Sequence, residues 1–164
     1  MKARQYFQDY MAAQTCFGCG PDNGNGFKIR SHWENELSVC EWQAEQYHEG
    51  WAGLTCGGVI ATLVDCHCIA TSMATAIKQE NREMGSDPKY VFATGALNIT
   101  YLKPSSVDKP IRLEAKVSKI KYDKKYTVEC SVYVDGEKTA QAEVVTLLVY
   151  RSDKPEEGSK AFQT

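Results

Sequence analysis

The sequence predicts an α+β domain in which a curved antiparallel sheet wraps around one long, buried helix. The first observation is an apolar stretch, Val59 to Ile77, that contains neither proline nor glycine. The second is a set of runs before and after it in which apolar and polar residues alternate, as they do in half-buried strands. Because the stretch is apolar almost all round, its helix must be covered on several sides, which a curved sheet can do.

The alternating runs predict two strands before the helix and four after it. Between the last two runs lies Asp135-Gly136, a strong signal for a tight hairpin. Such a sheet covers only part of the helix, so we expect a partner subunit, in a dimer or a tetramer, to cover the remainder. The runs comprise residues 27–33, 37–43, 91–102, 111–121, 126–135 and 139–151.

We expect one domain, residues 16–151, with a short extension at each end. Residues 1–15 form an N-terminal helical segment, in which an amphipathic helix covers about residues 2–13. Residues 152–164 are polar and are expected to form a loose tail. Within the domain, the glycine-rich segment 47–55 is expected to be a loop.

Charge and composition argue against several classes of function. The 19 basic and 21 acidic residues give a formal net charge of −2, and they form no basic stripe of the kind that binds nucleic acid. Asp65 and His67, near the centre of the apolar stretch, argue against a membrane span. The seven cysteines are odd in number, and no secretory leader is recognisable. We therefore expect a cytoplasmic protein with reduced cysteines.

Asp65 is the most informative residue of the predicted helix. Its neighbours three and four positions away are uncharged: Ala61, Thr62, Cys68 and Ile69. No lysine or arginine of this helix can therefore pair with it. A buried carboxylate without a cation is costly to keep, but it suits nucleophilic attack or the activation of water. The alternative is a hydrogen-bonded structural aspartate, a role that threonine or asparagine would serve as well.

Gly57 and Gly58 open the predicted helix. They leave its first N–H groups uncovered, so a substrate oxygen can approach the positive end of the helix dipole and gain about 3 kcal/mol per donor as an oxyanion. The alternative is a sharp turn that simply requires small residues. Along the helix axis Gly57 lies about 12 Å from Asp65. The two can act on one carbonyl only if a symmetric dimer brings one helix start near the middle of the other helix.

Three segments carry a resemblance to a known superfamily. Residues 48–65 read HEGWAGLTCGGVIATLVD, residues 16–23 read CFGCGPDN, and residues 97–104 read LNITYLKP. The first is similar to the signature of the hotdog-fold thioesterases, of the phenylacetate-pathway and 4-hydroxybenzoyl-CoA type. The second resembles the opening of one branch, and the third resembles the strand after the helix. The resemblance covers about residues 16–150 and implies the hotdog fold.

The resemblance also implies hydrolysis of an acyl-CoA, or a related pantetheine thioester, to the free acid and the thiol. Asp65 stands where the family places its catalytic carboxylate, as nucleophile or water-activating base. Gly57 stands where a backbone N–H polarises the thioester carbonyl, and the family shares each site across a dimer. No cofactor is implied, because coenzyme A enters as part of the substrate. The expected substrate-binding residues are His48, Cys56, Gly58, Thr94, Asn98 and Lys103, the last as a contact for the nucleotide.

The resemblance has one departure, at Cys56. The family motif normally reads His-Gly-Gly, and Cys56 occupies the place of the histidine. A thiol cannot orient a substrate as an imidazole does, although it can pack or form a weak hydrogen bond. Catalysis should survive if the backbone donor and Asp65 carry it, and it should weaken if the histidine positions the substrate. His48, eight residues earlier, is the candidate replacement.

Two further features receive structural interpretations. Cys16 and Cys19 have zinc-knuckle spacing but lack a second pair, and Cys40 and His32 are the only nearby additional ligands. We therefore expect no metal site, and a packing or loop-stapling role for the pair. His67 lies on roughly the opposite side of the helix from Asp65, so we expect a hydrogen-bonded core histidine.

Three other functions stay open from the sequence. The missing motif histidine favours a non-catalytic acyl-CoA-binding protein. A hotdog dehydratase or hydratase would require an aspartate and a histidine in one cleft. A cysteine-dependent or zinc module would require bound metal and would lose its fold with a chelator.

Overall fold

Six antiparallel strands wrap around one helix in the computed structural model, which describes residues 4–163. Before the helix lie β1 (Ser31–Glu34), β2 (Leu37–Trp42), β3 (Glu49–Trp51) and β4 (Leu54–Thr55). The helix is α1 (Gly57–Gln79), and after it come β5 (Tyr90–Tyr101), β6 (Ile111–Lys121), β7 (Lys125–Val134) and β8 (Glu137–Arg151). The sheet order is β1-β2-β6-β7-β8-β5, and β3 and β4 form a separate hairpin. The predicted α+β architecture is confirmed.

α1 is buried along most of its length. Leu63 and Val64 are fully buried, and they pack in one cluster with Leu113 of β6 and Val144 of β8. Burying one such aliphatic side chain stabilises the fold by about 1.5–3 kcal/mol. By length and composition α1 could also cross a bilayer, but 72% of its most apolar window is buried inside the protein. Packing against the sheet therefore accounts for its all-round apolar composition.

The C-terminal end of α1 is a hydrogen-bonded stop. Asn81 adopts a φ of +52°, a left-handed conformation that asparagine tolerates better than most residues. Its N–H bonds to the carbonyl of Lys78 at 3.0 Å, and the N–H of Arg82 bonds to that of Ile77 at 3.1 Å. This Schellman arrangement satisfies carbonyls that the last turn would otherwise leave unpaired, so the helix ends where the polar segment begins.

β5 is one edge of the sheet, and β1 is the other. β5 pairs with β8 from Tyr90 to Tyr101, and its other side has no partner strand among residues 4–163. Residues 95–98, in the middle of β5, are exposed. The edge of β5 is therefore a long, open strand surface beside α1.

The four strands predicted after the helix are confirmed within two residues at each end. The Asp135-Gly136 pair forms the predicted hairpin turn, with φ angles of +50° and +75°. The prediction that the segment 47–55 is a plain loop is wrong. The segment contains most of the 3₁₀ turn Gln46–His48 together with the β3–β4 hairpin.

The first strand was predicted to start too early, since residues 27–30 lie outside β1. Lys28 has a φ of +57°, which interrupts extended backbone. The N–H groups of Phe27 and Ile29 bond to the carbonyls of Phe17 and Gly18, at 3.0 and 3.1 Å. The segment thus pairs with the loop that carries Cys16 and Cys19 rather than with β2.

The N-terminal segment differs from its prediction. In place of a helix over residues 2–13, residues 4–13 hold a single 3₁₀ turn, Phe7–Tyr10, and residues 2 and 3 lie outside the described residues. Phe7 is buried and packs on Trp33, with ring centroids 5.1 Å apart. One buried aromatic side chain anchors the turn, whereas residues 12 and 13 are exposed and make no helical face.

The C-terminal segment is more ordered than the predicted loose tail. It forms two 3₁₀ turns, Pro155–Glu157 and Lys160–Phe162. The N–H of Ser159 bonds to the carbonyl of Val149 in β8 at 3.0 Å, which ties the segment to the sheet. Residue 164 lies outside the described part of the chain.

Candidate active site

A cavity of about 290 Å³ lies between α1 and the first half of β5. The N-terminal segment and the C-terminal turn complete its walls. Among the described residues that line it, Asp65 is the only carboxylate, and no lysine, arginine or histidine is present. The apolar lining includes Met11, Ile69, Met73, Phe92 and Phe162. The cavity therefore combines an apolar interior with a single carboxylate.

Asp65 is partly buried in the wall of this cavity. The hydroxyl of Thr94, on β5, donates a hydrogen bond to its Oδ1. Within residues 4–163 that hydroxyl is its one side-chain donor, and no lysine or arginine pairs with it. Burial raises the pKa of Asp65, and the Thr94 bond partly offsets the increase. The protein thus orients one carboxylate oxygen and leaves the other to the cavity.

The start of α1 forms a second group of candidate residues. Cys56 is the N-cap and makes no side-chain capping bond. In the described chain the N–H groups of Gly57 and Gly58 have no acceptor, so both are available to a ligand oxygen. The hydroxyl of Tyr101, at the end of β5, donates to the carbonyl of Gly57 at 2.6 Å.

Sequence reasoning did not identify Tyr101 as a site residue. It lies inside the segment 97–104 that resembles the family strand, and its place at the end of an alternating run is the one signal available. In the structure its ring lies 3.4 Å from where a Cβ on Gly57 would be, so it packs directly on the helix start.

One copy of the chain does not bring the two groups together. Asp65 with Thr94 lies about 12 Å along α1 from Gly57 with Tyr101. β5 runs beside the helix and contacts it at both points. α1 is unbroken from Gly57 through Asp65, so the helix-geometry estimate applies, and Gly57 and Asp65 of one copy cannot contact the same carbon.

Asn98 and Lys103 lie outside the cavity lining. Asn98 is exposed on β5, between Thr94 and Tyr101. Lys103 is exposed and pairs with Glu137 at the start of β8.

His48, the candidate replacement for the motif histidine, is a buried residue. Its Nδ1 accepts the backbone N–H of Glu45 at 2.8 Å, which completes a capping box around the turn Gln46–His48. Burial lowers the pKa of His48. Its carbonyl accepts the N–H of Cys56 at 2.9 Å, so it positions the residue before α1 through the backbone.

His67 is the core histidine that its place on the helix predicted. It is fully buried, its Nδ1 lies 2.8 Å from Ser31 Oγ, and its Nε2 lies 3.2 Å from the Ser38 carbonyl. The carbonyl can only accept, so Nε2 carries the proton and Nδ1 accepts from the serine hydroxyl. Burial lowers the pKa of His67 to about 4, which keeps the ring neutral.

Cys16 and Cys19 lie beside a third thiol, that of Cys66. Neither Cys40 nor His32, the two neighbours considered from the sequence, lies with them. The Sγ atoms of Cys16, Cys19 and Cys66 all lie within 4.8 Å of one another. Cys40 instead lies in the core, and His32 contacts Glu34. The thiol of Cys66 hydrogen-bonds to Cys16, and this bond contributes most to lowering the pKa of Cys16 to about 4. Cys66 adjoins Asp65 in sequence, yet nothing in its spacing links it to residues 16 and 19.

Comparison with known proteins shows which family this chain is similar to. A model of the thioesterase superfamily matches residues 52–141, more than half of the chain. The matched segment includes α1, Asp65 and all of β5.

Solved structures share the fold. A thioesterase superfamily protein from Shewanella loihica is 25% identical over 76% of this chain and 93% of its own, with a TM-score of 0.61. The PaaI protein from the phenylacetic acid degradation operon of E. coli is 10% identical over 76% of this chain and 81% of its own, also with a TM-score of 0.61. A Streptococcus mutans protein bound to acetyl-CoA is 16% identical over 73% of this chain and 87% of its own, with a TM-score of 0.59. These likenesses confirm the hotdog fold.

Proposed function

The chain belongs to the thioesterase superfamily, and from that premise we propose that it hydrolyses an acyl-CoA, or a related pantetheine thioester, to the free acid and the thiol. The observation that carries the proposal is the Asp65 carboxylate, oriented by Thr94 in the wall of an apolar cavity. The acyl group binds in the cavity and presents its thioester carbonyl to Asp65. The Streptococcus mutans structure with acetyl-CoA supports a substrate of this class.

Asp65 can act in either of two ways. As a general base it takes a proton from water, the hydroxide attacks the carbonyl carbon, and the tetrahedral intermediate expels the thiolate, which takes that proton back. As a nucleophile its oxygen attacks the carbonyl and expels the thiolate. Water then opens the resulting anhydride, which restores the Asp65 carboxylate, and the thiolate takes up the proton that this hydrolysis releases. Both routes give one acid and one thiol, and both require a carboxylate beside the carbonyl.

Donors for the oxyanion come from a second copy of the chain in this proposal. The N–H groups of Gly57 and Gly58 are suited to the task, but they lie too far from Asp65 within one copy. The open edge of β5 is the surface that would pair, and the apolar side chains of Leu97 and Tyr101 are exposed on that strand. Long exposed edge strands are normally covered.

A two-fold pair would then hold two sites, each with Asp65 of one copy and the helix start of the other. Light scattering on the purified protein checks the arrangement. A monomer with full turnover would contradict the shared site while leaving the role of Asp65 intact.

Replacing Asp65 by Asn tests the reaction. Asparagine keeps the size of the side chain and can still accept the Thr94 bond, but it can neither take up the proton nor form the anhydride. We expect release of free thiol from the best substrate in an acyl-CoA panel to fall at least about a hundredfold.

The matched control is Asp123→Asn, the same chemical change at an exposed position of the β6–β7 turn that does not line the cavity. Its φ of +53° suits asparagine, so wild-type turnover is expected. Equal turnover in Asp65→Asn and Asp123→Asn would remove Asp65 from its proposed role.

A non-catalytic acyl-CoA-binding protein is the second candidate, and Cys56 favours it. A thiol is only a weak hydrogen-bond donor, so it cannot orient a substrate as the imidazole of the family motif does. This function predicts that the wild-type protein binds an acyl-CoA without releasing thiol, and that Cys56→His gains turnover. A hydratase is not favoured, because none of the three histidines lines the cavity.

A further inference from the structure

Three thiols from distant parts of the chain converge beside the cavity. Cys16 and Cys19 lie on the loop before β1, and Cys66 lies on α1, next to Asp65. Their Sγ atoms are mutually within 4.8 Å, and those of Cys16 and Cys66 are 3.8 Å apart. All three residues line the cavity that Asp65 lines.

The spacing of the sulfur atoms fits a shared cation. Zinc–thiolate bonds of about 2.3 Å at the tetrahedral angle place two sulfur atoms about 3.8 Å apart. The Cys16–Cys66 separation of 3.8 Å matches that edge, whereas a disulfide requires about 2.05 Å. Bringing the remaining separations, up to 4.8 Å, to the same value requires side-chain shifts of only about 1 Å.

The loop is also shaped around the sulfur atoms. A Cβ on Gly18 would overlap with Cys66 Sγ, so only glycine lets the loop close over that thiol. The N–H of Gly20 bonds to the carbonyl of Cys16 at 2.9 Å and closes the turn.

The other buried cysteines show what a packing role looks like in this chain. Cys40, Cys68 and Cys130 are at most 2% exposed, line no part of this cavity, and act as small apolar side chains in the main core cluster. Cys19 and Cys66 belong to the same cluster but lie at its border with the cavity. The Cys16–Cys19–Cys66 cluster differs because it borders a cavity and contains a partly exposed member, Cys16. A pure packing role does not call for three thiols aimed at one point.

We propose that Cys16, Cys19 and Cys66 bind one Zn²⁺ ion as thiolates, with the fourth coordination position facing the cavity beside Asp65. Binding releases the remaining thiol protons to solvent. The ion would fasten the loop to α1, and a water molecule would complete the tetrahedron. This departs from the expectation from sequence, which lacked Cys66 as a ligand and predicted no metal.

Cobalt titration tests the site directly. Apo protein, prepared with a chelator and a phosphine reductant, is titrated with Co²⁺, whose thiolate charge-transfer bands and intense visible bands report tetrahedral sulfur ligation. We expect saturation at about one Co²⁺ per chain, and loss of the bands on addition of Zn²⁺, which binds such sites more tightly. Elemental analysis of protein purified without chelator should likewise find about one zinc per chain.

Two serine variants separate the cluster from other thiols. Cys16→Ser removes the partly exposed ligand, so the fold should survive, as circular dichroism can check. It should abolish both the cobalt bands and the bound zinc. Cys56→Ser, also at a partly exposed cysteine but outside the cluster, is the matched control and should keep both.

Three results would overturn the proposal. The first is folded wild-type protein with seven free thiols and no cobalt bands. The second is a Cys16–Cys66 disulfide in protein made in a reducing cytoplasm, because the two thiols would then be a redox pair. The third is cobalt bands that persist in Cys16→Ser, which would locate the ion elsewhere. None of these readouts depends on thioester hydrolysis, so they remain informative if Asp65→Asn keeps its turnover.

Discussion

Asp65 and His67 lie two residues apart on α1, yet their surroundings differ in nearly every respect. Both ring nitrogens of His67 are paired inside the core, with Ser31 and Ser38. Asp65 has one side-chain partner, Thr94, and borders a cavity. Two residues correspond to a rotation of about 200° around a helix. His67 therefore faces the short strands β1 and β2, and Asp65 faces β5.

The difference separates a structural polar group from one that is available for chemistry. A buried group whose every atom is paired stabilises the fold, because removing it leaves its partners unsatisfied. A group with spare hydrogen-bonding capacity beside a cavity adds little to the fold and can meet a ligand.

His67→Leu should lower the free energy of unfolding by about 3 kcal/mol, because the Ser31 hydroxyl and the Ser38 carbonyl both lose a partner in the core. Leucine is similar in size, so the loss reports hydrogen bonding more than volume. Urea unfolding followed by circular dichroism measures it.

Asp65→Asn is the matched comparison on the same helix. Its unfolding free energy should stay within about 1 kcal/mol of wild type, since the Thr94 bond can be kept. Equal losses in the two variants would break the distinction between the structural and the reactive residue.

Thr94→Val should reduce turnover about tenfold, or about 1.4 kcal/mol in transition-state free energy. Valine has the shape of threonine but cannot donate to Asp65, so the carboxylate is no longer held toward the carbonyl. Thr94→Ser keeps the hydroxyl and should retain most of the turnover. Steady-state kinetics on one acyl-CoA decides, and a Thr94→Val enzyme with wild-type kinetics would show that Asp65 needs no orienting donor.

The smallest expected effect is a change in stability with pH at His48. Like His67, this histidine makes its hydrogen bond to a group of its own chain. Burial lowers the pKa of His48, and its Nδ1 accepts the N–H of Glu45. The imidazole therefore takes up a proton less readily in the folded protein than in the unfolded chain, where the pKa of histidine is about 6.5. Its contribution to stability is therefore complete above about pH 6.5 and is lost as the pH falls below that value.

Comparing unfolding free energies at about pH 7.5 and about pH 5.5 checks this, with His48→Gln as reference. Wild type should lose more stability over that interval than the variant. An identical loss in both proteins would mean that the imidazole is not held neutral by the capping box.

Periodicity predicted the elements in which each strand or helix has a clear buried face. α1 and β5–β8 were predicted within two residues because their apolar pattern continues over many positions. Short segments fared worse. Residues 27–30 alternate like a strand, but their backbone N–H groups found acceptors in the loop before them. The N-terminal pattern yielded one turn because a single aromatic, Phe7, had a core to enter.

Asp65 could be identified from the sequence because a charge within an apolar stretch is costly wherever the stretch packs. The residues that contact Asp65 could not be identified in this way. Thr94 lies 29 positions from Asp65, Tyr101 lies 44 from Gly57, and Cys66 lies 50 from Cys16. The sequence by itself determined the long helix, the four strands after it and the charge that lies within the helix. Only the tertiary structure decided these side-chain contacts. They depend on strand register and on the rotation of the helix about its axis, and the periodicity of a single segment encodes neither.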